Sequence, residues 1–139
     1  MENEIIMGLT AFEITALFFG LMVSILFVQS GLDKVFNYQG EKAFYTQHFS
    51  KTFLAPIVPL LMLVITLFEI ASGFLTAVGI VLFLLYGTTQ LAVMGTALAC
   101  FSIIQLFMGQ RIAKDYGGAA VLIPYFLLTT GAFLLFASL

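Results

Sequence analysis

Hydrophobic residues run along the chain in long blocks that are separated by short polar segments. The first block, ITALFFGLMVSILFVQSGL, covers residues 14–32, and the last covers residues 118–139. A middle block, residues 52–110, contains a single charged residue, Glu69. A helix rises about 1.5 Å per residue, so roughly 20 apolar residues cross a ~30 Å hydrocarbon core. The pattern therefore predicts helices that span a membrane.

The middle block is too long for one helix, and it suits two helices joined by a tight turn near the sequence Tyr86-Gly-Thr-Thr. Pro56 and Pro59 fit the entry of the second helix, where a missing N–H costs little. The predicted helices cover residues 12–31, 57–84, 89–108 and 119–138. Together they define one all-α transmembrane domain over residues 1–139, a four-helix bundle in the membrane.

Composition and charge agree with this fold. The chain is 62% hydrophobic and 9% charged, with a mean hydropathy of +1.14, whereas about a quarter of a soluble domain is charged. All five basic residues lie in the segments between helices one and two and between helices three and four: Lys34, Lys42, Lys51, Arg111 and Lys114. Lys and Arg near helix ends stay preferentially in the cytoplasm. We therefore expect a multi-pass protein of the bacterial inner membrane, with both of these loops cytoplasmic and both termini periplasmic. The segment before the first helix has no basic residue, so that helix is expected to be retained and not cleaved as a signal peptide.

The polar segment of residues 33–56, DKVFNYQGEKAFYTQHFSKTFLAP, has an amphipathic pattern. Its apolar face is expected to contain Phe44, Tyr45, His48, Phe49, Thr52 and Phe53, and its polar face Glu41, Lys42 and Gln47. The pattern predicts a short helix in the headgroup layer, acting either as a surface anchor or as a lid over a ligand pocket. His48 is the sole histidine, which excludes a bis-histidine haem site within the chain, and no metal-ligand spacing is found.

Glu69 lies on a stripe of small and polar positions that also contains Thr66, Ser72, Gly73 and Thr76. Small residues also form stripes in helix one, Ala16, Gly20 and Ser24, and in helix three, Ala92, Gly95, Thr96 and Ala99. Helices in lipid approach one another through such residues, so Glu69 is expected to face protein. Near the midplane an ionised carboxylate costs about 2.5–3.5 kcal/mol, which favours a neutral carboxyl group. Glu69, Thr66, Ser72 and Thr76 are therefore a candidate polar site. Its role is either a structural tie to a neighbouring hydroxyl or carbonyl, a functional acid that touches a quinone or relays a proton, or a contact with a partner subunit.

Other polar residues near the cytoplasmic side suggest further contacts. Gly31 is expected to cap the first helix, with Lys34 in the following turn. The alternative is that Lys34 and Arg111 converge and hold the anionic headgroup of a lipid or substrate. Arg111 and Asp115, four residues apart, are expected to form a local pair. Cys100 is the sole cysteine, so dithiol exchange within the chain is excluded, and it is interpreted as a small packing residue. No phosphate-binding loop, catalytic set or basic tract for nucleic acid is present.

Short motifs resemble those of the DoxX family of small four-helix bacterial membrane proteins. SGLDKVF provides Gly31 and Lys34 for a Gly-x-x-Lys element after the first helix, and FEIASGFLTAVG provides Glu69, Gly73 and Gly79 for an element in the second. The segment FMGQRIAKDYGGAAVLIPYFLL is similar to the third loop and fourth helix of such proteins from the Bacteroidetes. Many members have an arginine at the start of the first helix, where this chain has Glu13.

The resemblance implies a small membrane subunit beside the catalytic subunits of a quinone-linked or sulfur-linked oxidoreductase. We therefore expect an accessory subunit of a larger membrane complex, respiratory or redox, without catalytic activity of its own and without an obligatory cofactor. Its partners are expected to be the lipid bilayer and other membrane subunits. The alternatives are a quinone-interacting subunit that uses Glu69 and a small carrier or proton pathway.

Overall fold

A computed structural model describes residues 3–139, which form a small β-hairpin followed by five α-helices. The hairpin strands are β1 (Glu4–Ile6) and β2 (Leu9–Thr10), and the helices are α1 (Ala11–Phe36), α2 (Tyr38–His48), α3 (Val58–Tyr86), α4 (Gln90–Ile112) and α5 (Tyr116–Ala137). A 3-10 turn, Ala55–Ile57, leads into α3. Among the described residues, α1, α3, α4 and α5 are the helices long and apolar enough to cross a membrane. The predicted all-α four-helix membrane fold is confirmed.

The start of α1 is fixed by a reciprocal cap. The Glu13 backbone N–H donates to Thr10 Oγ1 (3.2 Å), and the Thr10 backbone N–H donates to Glu13 Oε2 (2.8 Å). Two of the free amides at the helix start are thereby satisfied. The hairpin before this cap turns at Met7 and Gly8, both with positive φ, and the hydrophobic pattern gave no sign of it. Glu13 thus has a structural role at the start of α1.

The end of α1 differs from the prediction. The helix continues past residue 31 to Phe36, so Gly31 lies inside it and is not a cap. A Cβ atom at Gly31 would lie 2.6 Å from Ile70 Cγ1 and 3.1 Å from the Ile70 backbone nitrogen. The glycine therefore allows α1 and α3 to approach closely. The extra turn places Lys34 on the helix and beside α3.

Helices α3 and α4 form a tight antiparallel hairpin. Gly87, in the left-handed conformation with φ of 73°, ends α3 at the predicted turn. A Cβ at Gly79 would collide with the Ala92 backbone, and a Cβ at Gly95 would collide with the backbone and hydroxyl of Thr76. The small residues of the predicted stripes in α1 and α4 are buried: Ala16, Gly20, Ser24, Ala92, Gly95, Thr96 and Ala99. Close backbone contact between small residues thus holds this half of the bundle together.

The long helices form a ring in which α1 contacts α3 and α5, and α4 contacts the same two helices. Apolar side chains such as Phe18, Leu67, Phe101 and Leu127 project outwards from the four helices. Such a surface fits a protein embedded in lipid.

The short helix α2 is present, but its faces differ from those predicted. Tyr45, His48 and Phe49 are partly buried, whereas Phe44 is exposed. Two residues predicted on the polar face, Glu41 and Lys42, are also partly buried, and Phe53, predicted on the apolar face, is exposed. The exposure of Phe53 follows from the end of α2 at His48, because the helical periodicity does not extend to residues 52 and 53.

Candidate functional site: a cavity with a buried ion pair

A buried ion pair joins α1 to α3. Lys34 Nζ lies 2.9 Å from Glu69 Oε2, and their side chains are only 8% and 2% exposed. Lys34 Nζ also lies 3.5 Å from the Ser30 carbonyl oxygen, to which it donates. One of the three roles predicted for Glu69 was a structural tie to a hydroxyl or a carbonyl of a neighbouring helix. The structure places the Lys34 ammonium next to it instead, and an ammonium group can compensate the charge of a buried carboxylate.

The pair forms because of the local geometry of α1. The close contact of Gly31 with Ile70 sets two antiparallel helices side by side, and Lys34 follows in the last turn of α1. Glu69 Oε2 makes the ionic contact with Lys34 but accepts no hydrogen bond from any other group in the described part of the chain. A carboxylate oxygen can accept more than one bond. Glu69 therefore keeps a free acceptor position.

A cavity of about 530 Å³ lies next to the ion pair. Its polar lining consists of Ser30, Lys34, Tyr45, Glu69, Gln105 and Gln110. The rest of the lining is mainly large and apolar, with Val58, Met62, Ile65, Leu106 and Leu122 among its residues. Small-molecule sites generally have such volumes, with mostly apolar walls and a few polar groups that orient the ligand.

The position of the cavity follows from the distribution of small residues. The contacts of glycine with backbone in the α3–α4 hairpin lie at Gly79 and Gly95, and Ser72 Oγ and Ser102 Oγ are 3.5 Å apart. The cavity lies beyond them, along residues 58–69 of α3 and 105–112 of α4. Large side chains replace the small ones there, so the helices cannot close on each other in the same way.

Helix α2 covers one end of the cavity. Tyr45 and Phe49 belong to the lining of the cavity. The Phe49 ring lies close to α4, because a Cβ at Gly109 would be 3.4 Å from Phe49 Cζ. His48 Nε2 lies 2.6 Å from Gln110 Oε1 and 3.8 Å from Asp115 Oδ2, which ties α2 to the connection between α4 and α5. Of the two roles predicted for this segment, the contacts favour the lid.

Tyr45 supplies a neutral hydroxyl group to the cavity. Burial raises the pKa of its phenol above the usual value, against the lowering effect of the nearby Lys34 ammonium. The phenol therefore stays protonated at neutral pH and can donate a hydrogen bond. Lys34, Glu69 and Tyr45 together provide a cation, an anion and a neutral donor at one wall.

The remaining members of the candidate polar site lie elsewhere. Thr66 is half-buried, Ser72 Oγ donates to the Phe68 carbonyl oxygen, and Thr76 is packed against Gly95. None of these three belongs to the cavity lining. Of the predicted polar site, Glu69 thus lines the cavity, whereas Ser72 and Thr76 lie in the contact between α3 and α4.

The predicted contacts of Arg111 are not formed in residues 3–139. Arg111 is exposed, and its guanidinium carbon lies 4.5 Å from the centre of the Tyr116 ring. It does not line the cavity with Lys34. Asp115, its expected partner, instead accepts from the Gly118 backbone N–H (2.9 Å) and caps α5. A cap is often the stronger local preference for an aspartate at a helix start.

Sequence reasoning missed the cavity residues Tyr45, Gln105 and Gln110 as a group. The two glutamines interrupt the apolar pattern of α4, which is a weak signal, and Tyr45 was placed on the correct face of α2 without a partner. Cys100 is a half-buried free thiol. Residues 3–139 contain no cluster of three or more His, Cys, Asp or Glu residues able to hold a metal ion.

Comparisons of this chain with protein-family models, with curated proteins and with solved structures find no match. The fold and the cavity therefore define the class: a multi-pass membrane protein with four long helices and a partly polar cavity at one end of the bundle.

Proposed function

We propose that this chain is a small accessory subunit of a membrane redox complex and that it binds the head group of a quinone in the cavity. The observation that carries the proposal is the buried Lys34–Glu69 pair beside the Tyr45 hydroxyl, at one wall of a mainly apolar cavity of about 530 Å³. The resemblance of the Gly31, Lys34 and Glu69 motifs to DoxX proteins supports the same assignment.

The three polar groups suit both redox forms of such a ligand. A quinone carbonyl accepts hydrogen bonds, which the Lys34 ammonium and the Tyr45 hydroxyl can donate. A quinol hydroxyl donates, and the Glu69 carboxylate, which belongs to the cavity lining, can accept. Electron exchange with the bound quinone belongs to partner subunits, so that this chain holds and orients the head group.

The orientation proposed from sequence places this site on the cytoplasmic side of a bacterial inner membrane. Lys42 lies in α2 and Lys51 follows it, Arg111 lies in the last turn of α4, and Lys114 lies between α4 and α5, at the same end of the bundle as the cavity. Because basic loops remain preferentially cytoplasmic, the two termini are proposed to be periplasmic.

The test is a binding titration of the purified chain in lipid nanodiscs with a quinone of the ubiquinone or menaquinone type. Tyr45→Phe removes one donor and keeps the ring, so affinity should fall about tenfold, the effect of one hydrogen bond of about 1.4 kcal/mol. Tyr125→Phe is the matched control, because Tyr125 lies on α5 outside the cavity lining. Gly109→Leu should abolish binding by filling the cavity.

Absence of saturable binding to the wild-type chain would overturn the quinone assignment. Purification in mild detergent followed by mass spectrometry tests the accessory role separately. Stoichiometric redox subunits are expected in the same preparation, and a chain that always purifies alone contradicts the accessory role.

A further inference from the structure

Two side chains of the cavity lining keep much of their surface exposed. Val64 on α3 and Met108 on α4 line the cavity, and they are 37% and 55% exposed. Both lie within helices that are long and apolar enough to span a membrane. We infer that the gap between Val64 and Met108 is a lateral portal, through which a long-chain ligand enters from the lipid and leaves its hydrocarbon tail outside. This inference rests on the proposed function.

The positions of the two residues follow from the register of the α3–α4 hairpin. Gly79 meets Ala92 and Thr76 meets Gly95, so each step towards the start of α3 corresponds to a step towards the end of α4. Continued along the hairpin, this register brings Val64 level with Phe107, the residue next to Met108. Leu61 and Ile112, one turn further along each helix, also line the cavity and are apolar.

The two ends of the cavity differ in chemistry. Tyr45 and Phe49 of the α2 segment lie over the end nearer the headgroup layer, and the contact of His48 with Gln110 holds that segment in place. Val64 and Met108 lie in the long apolar helices and are partly exposed. Access at their level is therefore from lipid, whereas the α2 segment covers the access from water.

This arrangement selects a ligand class. The polar wall at Lys34, Glu69 and Tyr45 accepts a compact head group with carbonyl or hydroxyl oxygens, and the portal accepts an unbranched or isoprenoid chain. The cavity of about 530 Å³ holds the head and the first part of the chain. The remainder of the chain stays among the acyl chains of the membrane, where it loses no hydrophobic contact.

The experiment compares a long-chain quinone with a tail-less analogue of the same head group, both titrated into the chain in nanodiscs. Val64→Trp and Met108→Trp narrow the portal. We expect them to weaken or slow binding of the long-chain quinone about tenfold, mainly through the rates of exchange, and to affect the tail-less analogue much less. Met108→Ala should speed the exchange of the long-chain quinone.

Leu63→Trp and Phe107→Trp are matched controls, because both residues are exposed on the same helices but do not line the cavity. Unchanged binding of both ligands in the portal variants overturns the portal and leaves the quinone site intact. Equal weakening of both ligands also overturns it, because the substituted positions would then belong to the head-group site. Failure of the wild-type chain to bind either ligand overturns the proposed function itself.

Discussion

The Lys34–Glu69 pair gives a quantitative prediction for stability. Replacement of Lys34 by Met leaves the Glu69 carboxylate buried, 2% exposed, without its cation. Replacement of Glu69 by Leu leaves the ammonium without its anion, but Lys34 lies in the last turn of α1. A long lysine side chain near a helix end can turn its charge towards the interface, whereas the shorter glutamate inside the bundle cannot.

The two single substitutions should therefore have unequal costs. Removal of one partner of a buried ion pair costs about 3–5 kcal/mol, and we expect Lys34→Met to fall in that range. Because the Lys34 ammonium can turn towards the interface, Glu69→Leu should lower the free energy of unfolding by only about 1–2 kcal/mol. The double variant has no uncompensated charge and replaces both side chains by apolar ones, so its stability should lie within about 1 kcal/mol of wild type.

The free energy of unfolding can be measured by denaturant titration of the four proteins in mixed micelles, followed by circular dichroism. Lys51→Met is the matched control, since Lys51 is exposed, and it should change the free energy of unfolding by less than about 0.5 kcal/mol. A double variant whose loss equals the sum of the two single losses would refute the argument, because it would show that Lys34 and Glu69 do not interact energetically.

Three further predictions concern other parts of the chain. A topology reporter fused at Leu139 should be periplasmic, given the basic loops at the opposite end; cytoplasmic signal contradicts this. Cys100→Ala should leave quinone binding and complex activity intact, because a lone thiol cannot cycle as a dithiol; lost activity at normal protein level would count against it. His48→Ala should raise amide hydrogen exchange in residues 38–48, since it removes the contact with Gln110, while Phe44→Ala, at an exposed position, should not.

The helices and the small-residue contacts could be predicted from sequence because both depend on local pattern. Apolar blocks define the spans, and residues such as Gly95 and Ala99 recur at helical spacing whatever lies opposite. Gly31 shows the limit of this approach. A glycine followed by polar residues is a common helix end, but here the nearby Ile70 makes it an interhelical contact, and the helix continues. The residue that packs against the glycine decides whether the glycine ends the helix or forms an interhelical contact. A single sequence does not show which residue that is.

The cavity was beyond prediction for a related reason. Tyr45, Gln105 and Gln110 come together only when the register of α3 against α4 and the position of α2 are both known. The prediction that Glu69 is a neutral acid failed to include Lys34, because the lysine was assigned to a turn outside the first helix. An error of five residues at one helix end thus concealed the nearest ionic partner of the lone intramembrane acid.

The ion pair contributes little to the stability of the bundle, because the cost of burying the two charges is comparable to their attraction. The α3–α4 hairpin and the α1–α3 contact are already held by glycine and small residues at Gly73, Gly79 and Gly95, which pack without any charge. Burying two charged groups is offset by their attraction and contributes little net stability. A pair needed only for packing could be replaced by apolar side chains. Its place on the cavity wall therefore supports the proposed binding role more than a packing role. The double variant Lys34→Met with Glu69→Leu should accordingly fold and assemble normally but lose quinone binding.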